Sequence, residues 1–116
     1  DRGLTLTVII TAVAAVVAAP LVEEVVFRGV ILPALVPRLG RVVAVVTQAI
    51  VFGAVHVDPS GSGGLGLAIV LSGVGAVFGA ATLLTGRLWP SIIGHALFNG
   101  VVLAVVLVAG PELLGS

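Results

Sequence analysis

The stretch APLVEEVVFRGVILP, residues 19–33, sets two carboxylates and a guanidinium inside an apolar run. Glu23, Glu24 and Arg28 are hemmed by Val, Leu, Phe and Ile, so no polar helix face keeps them in water. Charged groups removed from water need partners or a chemical task. Glu24 and Arg28 stand four apart with the acid N-terminal, the favourable order for an ion pair on a helix. That pairing accounts for Arg28. It leaves Glu23, about 100° further round a helix, without a cation.

The whole chain shares this character. Of its 116 residues, 59% are hydrophobic and only 9% charged, and the mean hydropathy is +1.37. Soluble domains carry about 25% charged residues. Sixteen glycines, with abundant Ala and Val, match the composition of closely packed transmembrane helices. The expectation is one membrane-embedded domain over residues 1–116. A net charge of zero and the lack of any basic run give nucleic acid nothing to bind. With no cysteine, disulfides, thiolate metal sites and cysteine nucleophiles are excluded. The Arg, Gly, Ala and Val bias without Lys points to a bacterial cell membrane.

Working outward, the apolar segments are residues 4–19, 21–36, 42–56, 65–84 and 90–108. These predict an all-α polytopic transmembrane bundle of four to five apolar helices. Strands are excluded by the lack of alternation and by the cost of open sheet edges in lipid. Residues 4–36 would measure about 50 Å as one straight helix. A turn or sharp kink is therefore expected at Pro20, whose ring does not fit a regular helix interior. Arg38, Arg41 and Arg87 fall at one end of the bundle, and Asp58 and Glu112 at the other. The positive-inside bias puts the arginines in the cytoplasm. Gly75 and Gly79 have the small-xxx-small spacing of a tight helix contact, expected within the chain.

The chain's two histidines and its one asparagine also lie in apolar segments. His56 ends the third, in FGAVH, while His95 and Asn99 share a helix face in HALFN. A carboxylate, two imidazoles and an amide form a hydrolytic set: one glutamate takes a proton from water, a histidine supports it or protonates the leaving group, and His95 with Asn99 donates to an oxyanion. Two histidines and a glutamate also suit zinc with an open position, although HExxH is absent. None of Ser60, Ser62, Ser72 or Ser91 has an evident base, and Ser72 reads as a packing or helix-bonding residue. In straight, upright helices Glu24 and His56 would lie about 21 to 23 Å from the arginine end, but His95 only about 9 Å.

Taken in order, EEVVFR (residues 23–28), FGAVH (52–56) and HALFN (95–99) resemble the motifs of the CPBP membrane proteins. That family comprises type II CAAX prenyl endopeptidases, bacteriocin-processing and immunity proteins, and lysostaphin-resistance-like proteins. The resemblance implies an intramembrane glutamate endopeptidase requiring no metal or other cofactor. It makes Glu23 the water-activating base and His56 its partner. His95 and Asn99 become the carbonyl-polarising pair, and Glu24 and Arg28 auxiliary or structural. The implied partners are the lipid bilayer and a membrane-associated, in some branches prenylated, peptide or protein. Two rival readings keep the same residues: a non-catalytic immunity or scaffold module with a sealed polar cluster, and a proton-coupled carrier. Nothing in the sequence sets an oligomeric state.

Overall fold

The computed structural model describes residues 2–61 and 63–110; Ser62 and Glu112 lie outside them. The described residues form four helical rods and no strand. The first rod runs without interruption from α1 (Arg2–Val13) through α2 (Ala19–Glu24) to α3 (Leu32–Leu39), its parts joined by π-helical turns at Ala14–Ala18 and Val25–Ile31. The other rods are α4 (Arg41–Val55), α5 (Gly64–Thr85) and α6 (Trp89–Ala109).

The turn expected at Pro20 does not form. Instead, each π-helical turn stops two residues before a proline, Pro20 or Pro33. A proline ring collides with the carbonyl four residues back and donates no hydrogen bond. Widening the preceding turn moves that carbonyl away and lets the rod continue. Ala19 N–H donates to Ala14 O and Leu32 N–H to Phe27 O, the five-residue spacing of the wider turn.

Three stretches are long and apolar enough to cross a membrane: Thr5–Leu39, Gly64–Thr85 and Trp89–Ala109, with hydropathies of 2.4, 2.2 and 2.3. The α4 helix, of 15 residues, is shorter. A bilayer core needs about 20 helical residues. The 35-residue first stretch therefore tilts or projects beyond the core. Every rod turns Val, Leu or Ile side chains outward, as a lipid-facing surface requires.

Between α3 and α4 the chain reverses at Gly40, whose φ of 78° favours glycine. The tightest contact is between α4 and α5. Gly75 faces Phe52 and Ala49 there, and Gly79 faces Gln48, so the small-residue spacing serves a contact within the chain. Gly53 lies so close to Ser72 and the Ala68 carbonyl that a methyl group would not fit. Ser72 is thus a packing residue. Ser91 donates to Phe78 O at 2.9 Å and pairs with Thr82 at 2.7 Å, which joins α5 to α6. Arg41 Nη2 donates to Leu83 O at 3.1 Å, so the start of α4 and the end of α5 share the arginine end.

Candidate active site

Four elements carry the site. Glu23 and Glu24 end α2, Arg28 lies in the second π-helical turn, His56 caps α4, and His95 and Asn99 project from α6. Neighbouring residues in a helix diverge by about 100°, which decides their different partners. Glu24 turns inward and is fully buried. Its Oε1 accepts from Arg28 Nη1 at 2.8 Å and from His95 Nδ1 at 2.7 Å. Glu23 turns toward a cavity and stays 29% exposed. Its Oε2 stands 3.3 Å from His56 Nε2 and 3.4 Å from His95 Nε2.

Buried Arg28 is balanced on several sides. Besides Glu24, Nη2 donates to Gly75 O at 2.9 Å. The guanidinium carbon lies 4.6 Å from the Phe52 ring centre, with Phe78 at 5.6 Å and Phe27 at 5.8 Å. Aromatic faces attract a desolvated cation. An ion pair in lipid needs such additional support, because the attraction between its partners competes with the desolvation of both.

Both imidazoles have a defined orientation. His56 Nδ1 donates to Phe52 O at 2.6 Å, one helical turn back. His95 Nδ1 donates to Glu24 Oε1. A carbonyl or carboxylate oxygen only accepts, so each Nδ1 carries hydrogen and each Nε2 is directed at Glu23. Phe52 packs against both rings, at centroid distances of 4.4 Å from His56 and 5.6 Å from His95.

The polar atoms line a cavity of about 100 Å³ walled by Phe52, Leu71, Val74 and Phe98. Asn99 lines it too, but its Nδ2 also donates to Ala15 O at 2.8 Å. That carbonyl has lost its helical donors: Ala19 N–H is used at Ala14 O, and Pro20 has no N–H. Asn99 therefore fills the vacancy that the proline leaves, and so ties α6 to the first rod.

The structure thus joins Glu23, Glu24, Arg28, His56 and His95 in one network, with Asn99 on the cavity wall. The height difference expected for upright helices does not keep His95 from Glu24. The α2 segment packs directly on α6, which brings the two side chains together. Sequence reasoning missed Gln48, which is fully buried and donates from Nε2 to Val45 O at 3.0 Å and Gly75 O at 2.9 Å. As the chain's only glutamine, set in an apolar segment, it met the same test that singled out Glu23.

Among the described residues, no group of three or more His, Asp or Glu side chains is arranged to hold a metal ion. Outside the spans, Asp58 Oδ1 accepts from Ser60 Oγ at 2.7 Å and from Ser60 N–H at 2.9 Å. The side-chain bond foremost, and the backbone bond with it, hold the Asp58 carboxyl below its usual pKa.

No curated protein and no solved structure matches the chain. A family model does, described as type II CAAX prenyl endopeptidase Rce1-like, over residues 5–101. With an all-helical membrane fold and a match across most of its length, the chain belongs to the Rce1-like family of type II CAAX prenyl endopeptidases.

Proposed function

We propose that the protein is an intramembrane endopeptidase that hydrolyses a peptide bond in a membrane-associated substrate, with water activated by Glu23. The observation that carries this reading is the convergence of Glu23 Oε2 with His56 Nε2 and His95 Nε2 at one cavity, from three separate rods. Family membership supports the reaction class.

The chemistry follows from the donors and acceptors. Glu23, partly exposed, is the group able to take a proton from a water in the cavity. His56 Nε2 lies beside the same oxygen and passes that proton toward the leaving amine. His95, held through Nδ1 by Glu24, offers Nε2–H to the developing oxyanion when it carries a second proton, and the Glu24 carboxylate stabilises the resulting imidazolium. Asn99 spends one Nδ2 hydrogen on Ala15 O and keeps the other for the substrate carbonyl. Apolar walls around the cavity strengthen each of these interactions.

A sealed scaffold cluster would bury Glu23 and His56 fully, yet they are 29% and 28% exposed and border the cavity. The reading is tested by reconstituting wild type and Glu23→Gln with a panel of prenylated and unprenylated membrane peptides, with and without chelator. Cleavage that is lost in Glu23→Gln and indifferent to chelator is expected. Equal cleavage by Glu23→Gln, or none by folded wild type across the panel, would overturn the assignment.

A further inference from the structure

A second feature lies at the arginine end, away from the cavity. The outer face of the α4–α5 pair carries an apolar groove of about 280 Å³, lined by Val42, Val45 and Val46 on one side and Ala80 and Leu83 on the other. Arg41 stands at its mouth. The bond from Arg41 Nη2 to Leu83 O fixes the guanidinium there and uses one of its five N–H donors. Arg38 and Arg87 are exposed at the same end. Arg38 spends an N–H on Ala34 O at 2.6 Å.

No acid faces these arginines among the described residues. Glu23 and Glu24 belong to the site inside the bundle, and Asp58 lies in the α4–α5 connection at the opposite end. Trp89, 56% exposed at the start of α6, has the placement of an aromatic anchor at the headgroup level. The groove therefore runs from a cationic, hydrogen-bonding mouth into an aliphatic trough, along the membrane-crossing direction of α5.

We propose that this groove seats one anionic phospholipid of the arginine-side leaflet. Its phosphodiester accepts from Arg41, and one acyl chain lies along Val42, Val46 and Leu83. Charge selects the occupant: three arginines favour a net-negative headgroup, and among the described residues no carboxylate stands at this end to meet the ammonium of a zwitterionic one. A second copy of the chain fits poorly, since a two-fold contact is self-complementary and this end offers arginines with no acid among the described residues to meet them. The proposal is independent of the hydrolytic reading.

The test is native mass spectrometry of the detergent-purified protein equilibrated with equimolar dioleoylphosphatidylglycerol and dioleoylphosphatidylcholine. Wild type is expected to retain the glycerol lipid about fivefold over the choline lipid. Arg41→Gln removes the charge at the mouth, while Ala80→Leu fills the trough and leaves every charge in place. Both are expected to lose the preference, and Arg41→Lys to keep most of it. Helical circular dichroism and a monodisperse elution profile establish that each variant is folded. Equal retention of the two lipids by wild type would overturn the proposal. So would an unchanged preference in either Arg41→Gln or Ala80→Leu, since the first would leave the headgroup, and the second the acyl chain, without the proposed seat.

Discussion

His95 Nδ1 lies 2.7 Å from Glu24 Oε1, and the same oxygen receives Arg28 Nη1 at 2.8 Å. One buried carboxylate oxygen thus links the structural ion pair to the imidazole that faces Glu23. The two adjacent glutamates divide the work by direction alone: Glu24 orients, and Glu23 meets the cavity.

Replacing Glu23 with Gln keeps the side chain's size and removes its capacity to accept a proton. Cleavage is expected to fall about 10²- to 10⁴-fold, the usual contribution of a general base. Thermal unfolding in micelles should move little, because Glu23 is partly exposed and holds no structural ion pair with Arg28.

Arg28→Leu behaves differently. It strands the Glu24 carboxylate in a fully buried position, and a loss of about 3–5 kcal/mol is expected. Activity should fall with stability, since His95 loses the fixed orientation of its acceptor. Denaturant or thermal unfolding in micelles measures the first effect, and cleavage at a temperature where the variant stays folded measures the second.

Asn99→Leu leaves the Ala15 carbonyl without a donor in a half-buried position, and a loss of about 1 kcal/mol is expected. Pro20→Ala restores an N–H five residues from that carbonyl. The double variant is therefore expected to regain stability while cleavage stays low. Recovery of both together would reduce Asn99 to a tether.

Gly75→Ala puts a methyl group 3.1 Å from Phe52 Cδ1, 3.2 Å from Arg28 Nη2 and 3.3 Å from Ala49 Cα. Backbone and ring give way poorly in a close contact, so both stability and activity should drop. Gly73→Ala, with open space at the same point, should do neither. Parallel unfolding and cleavage assays on the two variants decide the matter.

The Asp58 turn supplies a pH dependence with a definite sign. Its carboxyl titrates below the ordinary value because the ionised form accepts from Ser60. The turn is therefore favoured above the unfolded-state pKa, and that preference disappears as pH falls through the lower folded value. Carboxyl chemical shifts of Asp58 followed against pH should show the depressed midpoint, and Ser60→Ala should raise it.

How far the sequence could be read depended on the range of each interaction. The Glu24–Arg28 pair was legible because both residues share one helix and a fixed spacing. The carboxylates and histidines were legible as candidates because any such group in an apolar span is conspicuous. Their meeting was not, since it depends on how four rods tilt and cross. The path past Pro20 also escaped, because a proline forbids a regular turn without saying whether the chain bends or widens. The Asn99–Ala15 bond follows only once that widening is known, as it repairs a vacancy between residues 84 positions apart. Gln48 is as conspicuous in its apolar segment as the histidines are in theirs.

The Glu24–Arg28 pair also bears on biogenesis. Both partners belong to the first rod, so they leave the ribosome together and neutralise each other before any later helix has been made. A nascent chain can thus commit these charges to the bilayer at an early stage. His95 and Asn99 arrive with α6, the last of the described rods. Until α6 docks, Glu23 lacks His95 and the Ala15 carbonyl lacks its donor. Translation order therefore completes the polar cluster last, when α6 docks against the first rod.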